Sequence, residues 1–145
     1  MISKDLFKTY LDQQHMMQLA TVKDGQPWCC TVYYVYDDAY NLYWASLPSR
    51  RHSKELKNHS KVAAAIAIKF INGKKVVGIQ LEGKAEEVAA SPAIRQIAES
   101  YATKFRRDAR WVDDFTSGKT AHRLYKLTPS SIILFDETNF PDQPR

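Results

Sequence analysis

Hydroxyl and cationic side chains are concentrated between a predicted strand and a predicted short helix near the middle of the chain. Within eight residues the sequence places three serines, two arginines and a histidine, namely Ser46, Ser49, Arg50, Arg51, His52 and Ser53. The backbone N–H groups and the dipole of a helix N-terminus favour an anion, and arginine offers paired donors to phosphate oxygens. The cluster therefore predicts a site for a phosphate or a carboxylate. The alternative is a solvated basic turn in which Ser49 caps the helix.

The cysteines and histidines indicate neither a disulfide nor a metal site. Cys29 and Cys30 are adjacent, and neighbouring residues of a strand point to opposite faces, which opposes a bridge between them. The four histidines, His15, His52, His59 and His122, form no zinc motif with them. The sequence shows no Ser-His-Asp constellation and no distinct general acid or base, so it assigns no catalytic residue.

The composition is that of an ordinary folded chain. Of the 145 residues, 44% are hydrophobic and 26% are charged, and the aromatic residues are three Trp, eight Tyr and six Phe. The net charge of +5 is not gathered into one long basic tract, so it suits anionic small molecules as well as nucleic acid. No apolar run approaches the roughly 20 residues of a membrane span, and the N-terminus does not resemble a signal peptide. We therefore expect a soluble, cytoplasmic protein.

The first third of the chain is predicted to form a helix and a meander of three strands. The helix is capped by Ser3 and ends near Gln14. The strands run from Met16 to Lys23, from Trp28 to Tyr36 and from Leu42 to Ser46. Asp24-Gly25 is a strong hairpin signal between the first two strands. The second strand is almost continuously apolar, which implies burial on both faces, or a core on one face and a ligand or second subunit on the other.

The rest of the chain is predicted to add further strands and two helices. The elements are a helix from Arg51 to Asn58, strands from Lys61 to Lys69 and from Val76 to Val88, a helix beginning at Ser91-Pro92, and closing strands from Ala121 to Leu127 and from Ser130 to Phe135. Gly78 and Gly83 are candidate bulges or bends, and bends in a long strand would help to close a barrel. The segment from Arg106 to Lys119 is predicted as an irregular surface loop, and the tail from Asp136 as a fraying end. Mostly antiparallel strands with helices at the ends indicate a small β-barrel of the α+β class.

These motifs resemble the FMN-binding split barrels related to pyridoxamine 5'-phosphate oxidase, over about three-quarters of the chain. That family commonly shows Gly-x-Pro, a hydrophobic strand, an aspartate turn, Leu-Tyr-Phe-x-Thr, and a Ser-Arg-Lys-type cluster followed by a Leu and a Val. The corresponding residues are Gly25-Gln26-Pro27, Trp28 to Tyr36, Asp37-Asp38, Leu42-Tyr43-Trp44-Ala45-Ser46, Arg50-Arg51-His52, Leu56 and Val62. The long strand also matches, through Leu81-Glu82-Gly83-Lys84-Ala85. The resemblance implies that residues 1–145 form one FMN-binding domain, a mostly antiparallel split β-barrel with peripheral helices.

The resemblance also implies a site, a cofactor and an assembly. By position, the FMN phosphate would be held by Ser46, Arg51 and His52. The isoalloxazine ring would lie along Cys30, Thr31, Val32 and Ala45. In this family the flavin sits between two subunits, so the implied protein is a homodimeric flavoprotein oxidoreductase whose substrate and electron donor are unknown.

Two features separate the chain from the oxidase itself. Gly78 stands where relatives that oxidise pyridoxamine phosphate carry a glutamine near the flavin. The C-terminal arginine-histidine signature by which that oxidase grips its substrate has no match in HRLYKLTPSSIILFDETNF. The pairing of Arg51 with His52 instead resembles a poorly characterised branch of the superfamily.

Two other functions are compatible with the same residues. A split barrel can bind haem or another flat anionic ligand without catalysis, or lose its cofactor, since a fold does not fix a function. The four histidines are then the available axial ligands. A nucleic-acid surface requires exposed aromatic residues interleaved with basic ones. The aromatic residues here lie mainly inside predicted strands with apolar neighbours, so nucleic-acid binding is the weakest of the hypotheses.

Overall fold

The computed structural model describes residues 4–69 and 71–145, and in that part of the chain one curled antiparallel sheet is surrounded by helices. The helices are α1 Lys4–Gln13, α2 Arg51–Asn58, α3 Arg95–Phe105 and α4 Ala109–Thr116. The strands are β1 Met16–Lys23, β2 Gln26–Tyr33, β3 Val35–Tyr36, β4 Leu42–Ser46, β5 Lys61–Ala67, β6 Val77–Val88 and β7 Arg123–Asp136. The predicted α+β class is confirmed, whereas the predicted cap Ser3 lies outside the described residues. None of the described helices is long and apolar enough to cross a membrane.

A single segment, residues 26–36, supplies both edges of the sheet. The strand order is β2-β1-β5-β6-β7-β4-β3, so β2 and β3 lie at opposite ends although only Tyr34 separates them in sequence. β2 pairs with β1, and β3 pairs with β4. The sheet must therefore curl until its two ends meet along this segment, and it stays open where β2 and β4 diverge. The strand predicted from Trp28 to Tyr36 is thus divided at Tyr34, whose N–H donates to the carbonyl of His15 at 3.2 Å.

The apolar side chains form two buried clusters. The larger lies inside the curled sheet beneath α1 and α2, and its most deeply buried members include Met17, Leu19, Trp44, Ile66 and Leu127. The smaller lies beneath α3 and α4, and its buried members include Val35, Ala98, Tyr101, Val112 and Phe115. The helix predicted to begin at Ser91-Pro92 therefore contributes its apolar residues to a core.

The pairing between β6 and β7 is irregular at one of the two glycines of β6. The register between β6 and β7 shifts between Glu82 and Gly83. A Cβ added at Gly83 would lie 2.1 Å from the carbonyl oxygen of Thr128, far inside any real contact distance. Gly78, by contrast, pairs in register with Phe135. The predicted bulge or bend is wrong at Gly78. At Gly83 the pairing does shift, but the extra residue is Ser130 of β7.

The segment predicted as an irregular loop from Arg106 to Lys119 is mostly helical. α4 begins after Asp108, whose carboxylate accepts a hydrogen bond of 2.8 Å from the N–H of Trp111. Trp111, Val112 and Phe115 lie on one face of α4 and pack in the smaller cluster. The loop prediction is wrong because this N-cap and this apolar face outweigh the surrounding charges.

The C-terminal tail is anchored to the body of the protein. Asp136 is fully buried, and its carboxylate accepts hydrogen bonds from the Tyr10 hydroxyl at 2.8 Å and the Asn139 amide at 2.7 Å. Its N–H donates to the carbonyl of Pro144 at 2.8 Å. The prediction of a fraying tail is therefore wrong, because one buried carboxylate joins the tail to α1.

Candidate functional site

A surface groove lies where β2 and β4 diverge, and it has a volume of about 420 Å³. Its lining residues are Met16, Thr31, Val32, Tyr33, Ala45, Ser46, Leu47, Arg50, His52, Tyr101 and His122. Five of the seven residues predicted from sequence to contact a cofactor are in this set, namely Thr31, Val32, Ala45, Ser46 and His52. The curling of the sheet therefore brings β2 beside the basic turn that follows β4.

Ser46 and His52 form a hydrogen-bonded pair at one end of the groove. Ser46 is the last residue of β4, and His52 lies in the first turn of α2. The Ser46 Oγ lies 2.8 Å from the His52 Nε2, and both side chains are buried. Burial, followed by the charge of Arg50, holds the pKa of His52 below its ordinary value, and the carboxylate of Glu55 opposes this shift. The environment therefore favours the neutral imidazole, and in that form its tautomer decides which partner donates.

Arg50 brings a full positive charge to the same end of the groove. It occupies the N-cap position of α2, and its guanidinium has only donors, so it cannot cap the N–H groups of the first turn. Those N–H groups, the helix dipole and the guanidinium all favour a negatively charged group. No carboxylate is among the described residues that line the groove. The N-cap is Arg50, so the prediction that Ser49 caps the helix is wrong, whereas the alternative of a solvated basic turn is not tested by this finding.

Arg51, predicted from sequence to hold a phosphate, lies outside the groove. Its Nε donates to Oε1 of Glu55 at 2.7 Å, and its guanidinium carbon lies 4.0 Å from the ring centroid of Trp28. Glu55 is almost fully buried, and its other oxygen accepts a hydrogen bond of 2.6 Å from the hydroxyl of Thr21. Arg51 lines a separate depression between α2 and the β1–β2 hairpin. Its role as a phosphate ligand stays a prediction.

Cys30 also lies outside the groove lining. It packs partly against the larger buried cluster, and burial together with the neighbouring Cys29 raises the pKa of its thiol to about 11. The adjacent Thr31 faces the other side of β2, where its hydroxyl donates to Oε1 of Gln18 at 2.7 Å. The alternation of the strand therefore separates Cys30 from the outward-facing Thr31, and the contact of Cys30 with a flavin ring stays a prediction.

Several groove residues are not predicted as site residues from the sequence. Tyr101 comes from α3 and His122 from the residues just before β7, so no local spacing links them to the basic turn. Tyr33 and Met16 lie on paired strands and look like ordinary sheet residues. Arg50 carries a sequence signal because it belongs to the basic cluster, and His122 carries one only as an available axial ligand for haem. The resemblance to a known family, however, matches the neighbouring Arg51 to the phosphate contact.

Other parts of the surface are less suited to a charged ligand. A depression of about 720 Å³ adjoins the bulge at Gly83, but it brings together Lys61, Lys84, Glu82 and Glu86. Its positive and negative charges balance, and none of the residues predicted to contact a cofactor lines it. Across residues 4–69 and 71–145, no group of three His, Cys, Asp or Glu side chains could hold a metal ion. The groove between β2 and β4 is therefore the candidate site.

The fold and the sequence both have known relatives. The chain is similar to the UPF0306 protein PM1958 of Pasteurella multocida, at 26% identity over 129 residues that cover 87% of this chain and 83% of that protein. Its structure is similar to that of HutZ, the haem storage protein of Vibrio cholerae, with a TM-score of 0.74, 18% identity and coverage of 92% and 95% of the two chains. It is also similar to an FAD-binding protein of Mesorhizobium loti, with a TM-score of 0.68, 21% identity and 90% of each chain covered. These structural likenesses show a shared fold.

The family follows from the sequence match that spans most of the chain. A sequence model of the family described as Pyridoxamine 5'-phosphate oxidase matches residues 3–135. This range includes the split between β2 and β4, the basic turn and nearly all of β7. The chain therefore belongs to the pyridoxamine 5'-phosphate oxidase family of split barrels.

Proposed function

We propose that this chain binds FMN in the groove as a homodimer and acts as an oxidoreductase on a substrate still to be identified. The observation that carries the proposal is the buried pair of Ser46 and His52, 2.8 Å apart, beside Arg50 and the N-terminus of α2. A hydroxyl, an imidazole, a guanidinium and free backbone N–H groups converge there, which supports a phosphate site. Bound FMN would supply the redox chemistry of its ring, while the protein supplies binding and orientation.

The wall of the groove next to this polar end would contact the ring of the cofactor. Thr31 and Val32 of β2 and Ala45 of β4 line the groove, and the small side chain of Ala45 leaves room for a flat group. Cys30 would contribute through its backbone, because its side chain packs on the core side. Arg51 would join the phosphate contacts only by leaving Glu55. The likeness to an FAD-binding protein is consistent with a flavin in this fold.

The outer face of the sheet supports the proposed dimer. Ala65 of β5 pairs with Gln18 on one side and Gln80 on the other, and Gln80 pairs with Ile133. These residues lie on the exposed face, where Ile133 is 36% exposed. Gln18 also pairs with Thr31, which lines the groove. A second subunit on this face would therefore cover one side of the groove.

The test of the flavin site is an absorbance titration of the purified protein with FMN. We expect the visible flavin bands to co-migrate with the protein, and Arg50→Gln and Ser46→Ala each to weaken binding by about tenfold or more. Arg110→Gln is the matched control, because Arg110 lies on α4 with 89% of its side chain exposed. A protein that ignores FMN, or an Arg50→Gln variant as tight as Arg110→Gln, would contradict the proposal.

The test of the assembly is sedimentation at micromolar concentration. We expect a dimer that dissociates in Ala65→Arg, because a long cation in the middle of the outer face would oppose close packing of two sheets. Ala93→Arg is the control, since Ala93 is exposed and lies off the sheet. A monomeric wild-type protein would remove the dimer from the proposal.

Haem binding without catalysis is the second candidate function. It is favoured by the presence of two histidines, His52 and His122, in the same groove, and the haem storage protein HutZ has the same fold. The expected signature is a Soret band on titration with haemin that is lost in His122→Ala or His52→Ala. His59→Ala is the control because His59 lines a different depression. Absence of a Soret band from the wild-type protein would exclude this candidate.

A further inference from the structure

We propose that the ring of Tyr33, with Met16 beside it, is a stacking surface for the planar ring system of the ligand in the groove. The inference rests on the proposed function and adds to it a second recognition element. One end of the groove then binds an anionic group through Ser46, His52 and Arg50, and the other binds a flat aromatic ring.

Tyr33 has one covered ring face and one open side. It is the last residue of β2, and its ring stacks on Phe105 of α3 with a centroid distance of 4.5 Å and an interplanar angle of 21°. The residue is nevertheless 47% exposed, and it lines the groove. A planar ligand in the groove would therefore continue an aromatic stack that the protein has already begun.

The stack behind Tyr33 extends into the smaller buried cluster. Phe105 contacts Tyr101 at 4.6 Å between centroids, and Tyr101 stacks on Trp111 at 5.2 Å and 11°. Trp111 in turn stacks on Phe115 at 4.7 Å. These contacts hold Phe105, and through it Tyr33, in a fixed orientation without a ligand. Little side-chain freedom would then be lost when a ring binds, which favours affinity.

Met16 widens the same apolar surface. It lies opposite Tyr33 in the register of β1 and β2, lines the groove and is 51% exposed. The flexible, polarisable thioether makes favourable contacts with aromatic rings. Two large apolar side chains exposed side by side, next to an anion-binding end, fit a heteroaromatic ligand that also carries a negative charge.

The experiment compares Tyr33→Leu with Tyr33→Phe, using FMN as the probe and the quenching of its fluorescence to measure Kd. We expect Tyr33→Leu to bind at least about tenfold more weakly, and Tyr33→Phe to bind like the wild type because it keeps the ring. Competition by inorganic phosphate should have the same inhibition constant in Tyr33→Leu and the wild type, since phosphate would use only the other end of the groove. Tyr33→Gln is a second variant without a ring, tolerated by a half-exposed position.

The outcomes separate this inference from the proposed function. If the wild type binds FMN and Tyr33→Leu binds it equally well, the stacking role is overturned while the flavin site stands. If Tyr33→Leu instead dissociates the dimer without changing Kd, Tyr33 is a subunit contact and the inference is wrong. If the wild-type protein binds neither FMN nor haemin, the proposed function and this inference are overturned together.

Discussion

The guanidinium of Arg51 is held by the buried carboxylate of Glu55, with 2.7 Å between Nε and Oε1, instead of facing the groove. The ring of Trp28 covers one face of the same guanidinium, with 4.0 Å between the guanidinium carbon and the ring centroid. Two adjacent arginines therefore have different surroundings, since Arg50 lines the groove and Arg51 stabilises the join between α2 and β2. Substitutions of Arg50 and of Arg51 should therefore have different effects.

Arg51→Met should lower the melting temperature more than it weakens FMN binding. Removing the guanidinium leaves the carboxylate of Glu55 buried with Thr21 as its remaining hydrogen-bond donor, which is unfavourable. Arg50→Met should show the opposite pattern, because Arg50 is exposed and lines the groove. Thermal melts and FMN titrations of both variants test this difference between the two arginines. A large loss of affinity in Arg51→Met at unchanged stability would restore Arg51 as the phosphate ligand.

The protein should become less stable as the pH falls below neutrality, because Glu55 is then protonated. Hydrogen bonds from Thr21 and then Arg51 hold the pKa of Glu55 below its ordinary value. A carboxyl group whose pKa is lower in the folded state stabilises that state above its unfolded pKa, and this contribution is lost as the pH falls through the folded pKa. Urea midpoints measured at acidic pH should therefore depend less on pH in Glu55→Gln than in the wild type. If the urea midpoints of the two proteins depended on pH in the same way, this role of Glu55 would be contradicted.

As the pH is lowered from 8 towards about 6, FMN binding by the wild-type protein should strengthen relative to binding by a His52→Gln variant. The comparison ends near pH 6 because the phosphate itself takes up a proton at about that pH. The pKa of His52 lies below its ordinary value in the ligand-free protein because of burial and of Arg50. A phosphate beside the imidazole would favour the imidazolium, so binding would take up a proton. The measurement is Kd against pH for both proteins. The same pH dependence in His52→Gln would show that His52 does not contact the phosphate.

Gly83→Ala should destabilise the protein by about 1–3 kcal/mol, because the new Cβ would overlap the backbone. That Cβ would lie 2.1 Å from the Thr128 carbonyl oxygen and 2.9 Å from the Cα of Pro129. Gly78→Ala is the matched control on the same strand, since its Cβ would lie 3.5 Å from the nearest atom, the Ile66 carbonyl oxygen. Chemical denaturation of the two variants gives the comparison. Equal stabilities would mean that the β6–β7 bulge relaxes freely.

Asp136→Ala should release the C-terminal tail and lower the free energy of unfolding by roughly 1–3 kcal/mol, because the groups that donate to this buried carboxylate lose their acceptor. The donors are the Tyr10 hydroxyl, the Asn139 amide and the backbone N–H groups of Thr138 and Asn139. Asp142→Ala is the control, since Asp142 is exposed. Limited proteolysis should cut the tail of Asp136→Ala faster than that of the control. A tail equally resistant in both variants would show that other contacts anchor it.

Local features were predictable because their causes lie within a few residues of one another. Asp24 and Gly25 form the expected hairpin with φ angles of 50° and 76°, a conformation that favours this pair of residue types. Ser91 accepts a hydrogen bond of 3.2 Å from the N–H of Ala93, as expected of the residue before Pro92. α4 was not predicted, although Asp108 and the apolar spacing after it carried the signal.

The sequence by itself determined most of the strands, the main turns, the fold class and the placement of Ser46, Arg50 and His52 around one helix start. It was wrong in joining β2 to β3 and in dividing β7 into two strands. The correct predictions depend on hydrophobic period, turn chemistry and short spacing, which are properties of neighbouring residues. Only the tertiary structure decided that Arg50 faces the groove while Arg51 pairs with Glu55, because that choice depends on Thr21 and Trp28 across the sheet. Likewise, only the tertiary structure brought Tyr33, Tyr101 and His122 together along the groove. Their contacts arise only when the curled sheet joins its two ends, and no spacing along the chain encodes them.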